Sequence, residues 1–325
     1  MAAPVIAVMG PTAAGKTAFA QQLAELVDGE LISVDSALIY RGLDVGAAKP
    51  DYPHHLIHIR DPSESYTAAD FARDARECID EIRQRGRQPI LVGGSMLYFR
   101  ALMQGLDDLP ESDPNIRNEI EQEALQKGWP ALHSELAEVD PDTAARLHPN
   151  HSQRISRALE VYRISGVPMS EWLQASTELD DERYLSLALS PRERRHLHAR
   201  IEARLDTMYA NGLVEEVQHL FDRGDLNPDR PAIRAVGYRQ TWAYLAGETS
   251  LQDSRERILA ATRQLAKRQL TWLRGWPSLT WLLTDESAQR AAVETDDPAL
   301  EALAVRGEIG LDVIAQELAR RVGNF

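Results

Sequence analysis

The chain has 325 residues, 43% of them hydrophobic and 26% charged, which is ordinary globular composition with enough apolar residues for a sizeable core. The length predicts about two domains. The formal net charge of −14 argues mildly against a nucleic-acid partner. Net charge is a sum, however, and the basic residues are not spread evenly along the chain. The single cysteine, Cys78, excludes a disulfide framework and a cysteine-based zinc site. The N-terminus lacks a basic region ahead of its apolar run, and no apolar run approaches about 18 residues, so we expect a cytoplasmic protein without a membrane span.

The first apolar run, at residues 5–9, has the length of a strand and opens directly into the pattern G-x-x-x-x-G-K-T at residues 10–17. A helical pattern follows at once, and this strand–loop–helix context is typical of a phosphate-binding loop. Gly10 and Gly15 allow successive backbone N–H groups to converge on an anion, and a helix that begins near Lys16 adds the positive end of its dipole. The Lys16 ammonium suits terminal phosphates and the Thr17 hydroxyl suits a Mg²⁺ ion. We therefore predict a phosphate site.

The next two predicted strands, at residues 30–34 and 89–92, are each followed by residues suited to a site. Asp35 follows the first strand, and Gly93, Gly94 and Ser95 follow the second. In open α/β sheets ligands bind outside the carboxyl ends of the strands, so Asp35 is expected to face the phosphate loop. A turn or cap aspartate is the alternative. Two adjacent glycines permit close approach of the backbone to a ligand.

Between these strands lies a pair of histidines, His54 and His55. The pair suggests a metal site, but no acidic or cysteine partner stands at ligand spacing, and we expect solvated loop histidines instead. Thr67 and Asp70 form a capping pattern that predicts a helix from about residue 68 to 85.

The order of the predicted elements indicates an α/β protein. Strand–helix–strand repetition predicts a parallel, doubly wound sheet. The stretch 111–183 carries helical patterns and no convincing strand, strand character returns at 184–189, and the last expected strand covers 279–283. We predict a P-loop NTPase-like parallel sheet core at 1–110 and 184–284, an inserted all-helical domain at 111–183 and an acidic C-terminal tail at 285–325. Beyond residue 284 we expect solvated helices.

Several motifs together resemble one family, the bacterial tRNA dimethylallyltransferases, also called tRNA isopentenyltransferases or the IPP transferase family. They run in order over about residues 4–283 and cover 10–17, 33–40, 46–50, 59–62, 93–98, 153–157, 233–240 and 267–276. The resemblance implies transfer of a dimethylallyl group from dimethylallyl diphosphate to the exocyclic amine of the adenosine 3′ of the anticodon. It implies this donor, and not ATP, in the phosphate loop, with Mg²⁺ at Thr17.

The resemblance and the chemistry of the reaction assign candidate residues. Asp35 is the candidate base for the adenine amine, Ser95 orients the amine or a phosphate oxygen, and Arg204 contacts the diphosphate. The remaining diphosphate contacts are Gly10, Pro11, Thr12, Ala13, Ala14, Gly15, Lys16 and Thr17. The implied contacts to the tRNA anticodon arm are Asp35, Ser36, Ala37, Leu38, Arg117, Gln153, Arg154, Ile155, Ser156, Arg157, Arg234, Ala235, Val236, Gly237, Tyr238, Arg239, Lys267, Arg268, Gln269 and Arg274. We expect a monomer.

The chain departs from the family pattern at three residues and in one loop. Ala14 stands where the family usually has serine, Ala47 and Ser95 stand where it usually has threonine, and the stretch 50–53 is short. Other classes of protein also use a phosphate loop. A small-molecule kinase commonly places an aspartate after a later apolar strand, whereas here Val92 leads into two glycines. A GTPase lacks support because no Asn-Lys-x-Asp segment is present, and a non-catalytic RNA-binding module leaves the loop beside Asp35 unexplained.

Overall fold

A computed structural model of the chain describes residues 3–105, 109–110, 112–174 and 183–323. The chain separates into two compact units. The first comprises Met1–Met103 and Leu179–Phe325, and the second comprises Gln104–Glu178.

The first unit is built on a single sheet, which has eight strands within the described residues. They are β1 (Val5–Met9), β2 (Gly29–Val34), β3 (His54–His55), β4 (Gln88–Gly93), β5 (Tyr184–Pro191), β6 (Thr280–Thr284), β7 (Arg290–Glu294) and β8 (Ile309–Gly310). Their order is β3-β2-β4-β1-β5-β6-β7-β8. The pairs from β3 to β6 are parallel, whereas β6 with β7 and β7 with β8 are antiparallel. The predicted α/β fold with a parallel, P-loop NTPase-like core is therefore confirmed, with an antiparallel edge added.

Helices cover both faces of this sheet. They are α1 (Lys16–Val27), α2 (Ala68–Gln84), α3 (Met96–Met103), α9 (Arg194–Ala210), α10 (Leu213–Phe221), α11 (Tyr238–Leu245), α12 (Leu251–Arg274), α13 (Glu301–Ala304) and α14 (Leu311–Gly323). Successive residues of β1 point to opposite faces, as the two-residue strand period requires. Val5, Ala7 and Met9 join a core with α2, α3 and α9–α12, while Ile6 and Val8 join a second core with α1 and α14.

The segment after Thr284 is not the set of solvated helices expected from its composition. It forms β7 and β8 at the sheet edge, and α14 packs against α1 with Ile314, Ala315, Leu318 and Val322 buried. Many acidic residues of this segment are exposed, whereas most of its alanines are buried or half-buried, so its composition alone suggested a solvated tail. The apolar spacing of α14 places one stripe in the core beneath the phosphate loop helix.

The second unit is helical throughout its described residues. It contains α4 (Pro114–Lys127), α5 (Trp129–Val139), α6 (Pro141–Arg146), α7 (Ser152–Ser165) and α8 (Met169–Gln174). Asp113 begins α4 as a side-chain cap that accepts from Asn115 N, with Pro114 in the first turn. Ile120, Leu132, Leu136, Ile155 and Leu159 form its own small core. Across the described parts of both units, no helix combines the length and the apolar character needed to span a membrane.

Candidate active site

A cavity of about 610 Å³ lies where β1, β2 and β4 end, and all of its lining residues belong to the first unit. The loop after β1 contributes Thr12 and Lys16, the loop after β2 contributes Asp35, and the loop after β4 contributes Ser95. Ligands of parallel α/β sheets bind at this edge, so the topology itself brings the predicted residues together.

The phosphate loop has the backbone geometry that its glycines predict. Gly10 has φ +153°, and a Cβ there would collide with the backbone oxygen of Leu189. Gly15 is left-handed at φ +95°, directly before α1 begins at Lys16. The N-terminus of α1 therefore opens into the loop, where its free N–H groups and dipole favour an anion.

Two cations face this loop. Lys16 Nζ donates a hydrogen bond of 2.7 Å to Pro11 O, and Arg204 Nη2 donates one of 3.3 Å to Ala47 O. Burial, helped by the nearby Arg204 guanidinium and opposed by Asp35, lowers the pKa of Lys16 to about 7. Burial also lowers the pKa of Arg204, against the pull of Asp35. Two desolvated cations beside an anion-binding loop indicate a site for a highly charged anion.

Asp35 faces the cavity and also stabilises its own loop. Its Oδ1 accepts the N–H groups of Ala37 at 2.8 Å and Leu38 at 3.3 Å, so the turn-aspartate interpretation holds for this oxygen. Within the described part of the chain Oδ2 accepts no hydrogen bond. Ser95 Oγ accepts the N–H of Ser36 at 3.1 Å, which joins the loops after β2 and β4. The two predicted catalytic side chains therefore lie on one continuous wall of the cavity.

Another part of the cavity lining, at Gly46 and Ala47, belongs to a loop held by a glutamate that the sequence did not indicate. Glu216 accepts the N–H groups of Asp44, Val45 and Gly46 at 2.6–3.0 Å. Its Oε1 also accepts the hydroxyl of Tyr238 at 2.6 Å, and that hydroxyl accepts Ala47 N–H at 3.0 Å. This pair shapes the segment whose Ala47 carbonyl receives Arg204.

Many of the predicted residues do line the cavity. Those from the phosphate loop are Thr12, Ala13, Lys16 and Thr17, and those from elsewhere are Asp35, Ser36, Ala37, Leu38, Ser95, Arg204, Arg234, Ala235, Val236, Gly237, Arg268 and Gln269. Gly10, Pro11, Ala14 and Gly15 shape the loop without lining the cavity, and Arg239, Lys267 and Arg274 are exposed outside it.

Four of the implied RNA contacts are buried side chains. Ile155 and Ser156 are 0% and 7% exposed on α7, and Tyr238 is 0% exposed. Gln269 is 8% exposed and bonded on both sides of its amide. Each of these four side chains packs within the protein, and the contact of these residues with tRNA stays a prediction.

The arginines of the helical unit also differ from one another. Arg157 and Arg117 both pair with Glu160, whose side chain is fully buried, and Arg157 further donates to Pro110 O at 2.7 Å. Burial raises the pKa of Glu160, but the hydrogen bonds from Ser112, Arg157 and Arg117 outweigh it and the net shift is downward. Arg157 is thus only partly exposed and is held by the buried Glu160.

Two neighbours of Arg157 on α7, Gln153 and Arg154, are exposed. These two keep the solvent access that an RNA contact requires.

The histidine pair is not a solvated loop, contrary to our expectation. His54 and His55 form β3, with His54 Nδ1 2.6 Å from Tyr52 O and His55 Nε2 2.6 Å from Glu30 Oε2. Burial lowers the pKa of His54, and the bond to Tyr52 only partly offsets this. These residues pair in parallel with β2, a strand that is distant in sequence. The local sequence around the two histidines therefore did not indicate that they are part of the sheet.

Sequence patterns also missed two apolar side chains of the cavity. Leu97 and Trp272 are 52% and 39% exposed, unusual for large apolar residues, and both line the cavity. They lie on α3 and α12, far apart in sequence, and their helical spacing resembles that of core residues. Only the fold brings the Leu97 and Trp272 side chains together at the cavity.

The fold is an α/β sheet of the P-loop-like class, and its cavity combines the cations of Lys16 and Arg204 with two exposed apolar side chains, Leu97 and Trp272, which we call the apolar mouth. A sequence model described as IPP transferase matches residues 38–276. The chain belongs to the IPP transferase family.

Relatives agree with this assignment along most of the chain. It is 53% identical over 312 residues to a tRNA dimethylallyltransferase of Bordetella petrii, covering 93% of this chain and 99% of the relative. It is 55% identical over 297 residues to that of Thiobacillus denitrificans, covering 89% and 95%. The solved tRNA isopentenylpyrophosphate transferase of Bacillus halodurans is 36% identical, with 99% of each chain covered and a TM-score of 0.63.

Proposed function

We propose that the cavity transfers a dimethylallyl group from dimethylallyl diphosphate to the N6 amine of the adenosine 3′-adjacent to the anticodon of tRNA, with release of diphosphate. The chain is a transferase of the tRNA-modifying kind, as its family membership establishes. The observation that carries the more specific proposal is the joining of an anion site, a carboxylate and an apolar mouth in one cavity.

The phosphate loop suits the leaving group. As the allylic C–O bond breaks, negative charge grows on the diphosphate oxygens, and fixed donors stabilise that charge most where it develops. Backbone N–H groups of the phosphate loop and of the first turn of α1, the Lys16 ammonium and the Arg204 guanidinium supply those donors. A diphosphate also restores the proton that burial removes from Lys16, because an adjacent anion favours the charged form.

A magnesium ion fits this site through one protein ligand and the substrate. Thr17 lines the cavity at the start of α1, and its hydroxyl is the proposed ligand. No group of three or more acidic, histidine or cysteine side chains that could enclose a metal is found in the described residues. Mg²⁺ commonly takes one or two protein ligands and completes its shell with phosphate oxygens and water, so this donor set suits it. When bound, the ion neutralises charge on the diphosphate.

Asp35 is the proposed proton acceptor. The adenine amine is a weak nucleophile because its lone pair is delocalised into the ring, and a carboxylate in reach accepts its proton as the N–C bond forms. Oδ1 is occupied by Ala37 and Leu38, which leaves Oδ2 for the amine. Ser95, bonded to Ser36, orients the amine or a phosphate oxygen from the same wall.

The tRNA must present its base to this cavity. A base that reacts at an exocyclic amine is extruded from its stack, and single-stranded loops such as the anticodon loop release bases most readily. Arg234 and Arg268 at the cavity, with Arg239, Lys267, Arg274, Gln153 and Arg154 on the surface, are proposed phosphate contacts. The monomeric state and the cytoplasmic location stay predictions.

One experiment tests the function directly. The protein is incubated with unmodified tRNA, Mg²⁺ and labelled dimethylallyl diphosphate, with labelled ATP in a parallel reaction. We expect label in tRNA from the first donor only, located on the adenosine after the anticodon. Tight Mg²⁺-dependent binding of ATP without binding of dimethylallyl diphosphate would instead favour the kinase alternative.

A further inference from the structure

One buried amide joins the two loops that close the anion end of the cavity. Gln269 lies on α12, and its Oε1 accepts the backbone N–H of Thr12 at 2.9 Å. Its Nε2 donates to the backbone oxygen of Gly94 at 2.9 Å. The side chain is 8% exposed, so water competes little for either hydrogen bond. A single side chain therefore spans the phosphate loop and the loop after β4.

The fit of this amide against Gly94 is tight. A Cβ built at Gly94 would overlap Gln269 Nε2, and its next neighbour, Gly10 O, would be 3.3 Å away. Gly94 does not have a left-handed φ, so the backbone there accepts an alanine. The absence of a side chain at residue 94 is thus explained by the space that Gln269 occupies.

We infer that Gln269 is a positioning residue for the donor, which sets the phosphate loop at a defined distance from Gly94 and Ser95. This inference rests on the proposed function, because it assigns Gln269 to the positioning of the diphosphate donor in that reaction. Thr12 N–H belongs to the loop that receives the diphosphate, and Ser95 follows Gly94 on the wall proposed to hold the amine. Gln269 acts through these two loops.

The direct test is Gln269→Leu, which retains a similar volume and removes both hydrogen bonds. The KM and Kd for dimethylallyl diphosphate should rise about tenfold, because two buried hydrogen bonds are lost and the loop is no longer held for its anion. The Kd for tRNA should stay within about twofold of wild type. Amide hydrogen exchange at Thr12 in the ligand-free protein should accelerate, a result that does not depend on any reaction. Gln264→Leu, at an exposed glutamine of the same helix, is the matched control.

Gly94→Ala tests the same contact from the other side and serves if Gln269→Leu fails to fold. Its methyl group displaces the amide and should raise the donor KM by a similar factor. In a Gln269→Ala background the space is open, so adding Gly94→Ala should cost less than about threefold. This non-additivity is the expected signature of a shared contact.

Three results would overturn the inference. They are a loss of tRNA affinity in Gln269→Leu with an unchanged donor Kd, an unchanged Thr12 exchange rate, and independent, multiplying effects of the two sites. A wild-type protein that fails to modify tRNA would instead contradict the proposed function, and the exchange measurement would still decide the role of Gln269.

Discussion

The hydroxyl of Tyr238 donates a 2.6 Å hydrogen bond to Oε1 of Glu216, and both groups hold the loop at residues 44–47. Together they engage the N–H groups of four successive residues, 44–47. Burial and the adjacent Glu216 carboxylate raise the pKa of Tyr238, so its hydroxyl stays protonated at neutral pH. Glu216 and Tyr238 therefore hold the loop whose Ala47 carbonyl accepts the hydrogen bond from Arg204, although neither residue is proposed to react.

We expect Tyr238→Phe to lower the free energy of unfolding by about 1–2 kcal/mol, since Ala47 N–H and Glu216 each lose a partner. The KM for dimethylallyl diphosphate should rise severalfold, because Arg204 loses a well-placed acceptor. Urea unfolding and steady-state kinetics measure the two effects. Tyr244→Phe on the same helix is the control and should change neither quantity. A KM equal to wild type in Tyr238→Phe would separate this loop from donor binding.

The lowered pKa of Lys16 predicts a pH dependence of donor affinity. With a pKa of about 7, the ammonium of the ligand-free enzyme loses its proton as the pH rises above 7, and only the charged form attracts the diphosphate. Affinity should therefore fall as the pH rises from 7 to 9. At pH 8 binding should take up close to one proton, measured by calorimetry in buffers of different ionisation enthalpy. Lys16→Met should bind more weakly and lack this proton uptake, and equal uptake in both proteins would contradict the assignment.

Arg154 and Arg157 should behave differently although they are three residues apart on α7. Arg157→Ala removes a partner from the buried Glu160 and should lower the free energy of unfolding by about 1.5–3 kcal/mol. Arg154→Ala should leave stability unchanged and reduce the slope of log Kd against log salt for tRNA by roughly 0.7–0.9. Urea unfolding measures the free energy of unfolding of both variants. Titrations of tRNA binding between about 50 and 200 mM salt measure the slope. An unchanged slope in Arg154→Ala would remove Arg154 from the RNA interface.

Much of the site was predictable because local sequence dictates local backbone. The phosphate loop needs only Gly10, Gly15 and the helix that starts at Lys16, and these are consecutive. Asp35 and Gly94 could be placed because the carboxyl ends of parallel strands share one edge of the sheet.

The parts that sequence missed depend on contacts between distant segments. Glu216 meets residues 44–46 across about 170 positions, and Gln269 meets Thr12 across 257. Glu216 stands in no pattern that differs from an ordinary helix position. Gln269 lies in the motif 267–276, but that motif did not indicate a contact with Thr12. The edge formed by β7 and β8 was missed because its strands are short and half-exposed, with too few alternating residues to distinguish them from a polar tail.

The sharpest prediction concerns Asp35. Asp35→Asn keeps Oδ1 as an acceptor for Ala37 and Leu38, so the loop is retained, but the amide does not take up a proton. If Asp35 is the base, the single-turnover rate should fall by roughly 10²–10⁴-fold, while donor Kd changes little because residues 10–17 hold the diphosphate. Asp80→Asn, at an exposed aspartate of α2, should match wild type. Thermal unfolding should show that both variants are folded. A rate within about threefold of wild type would reduce Asp35 to positioning the adenine, because general-base catalysis of this size would then be absent.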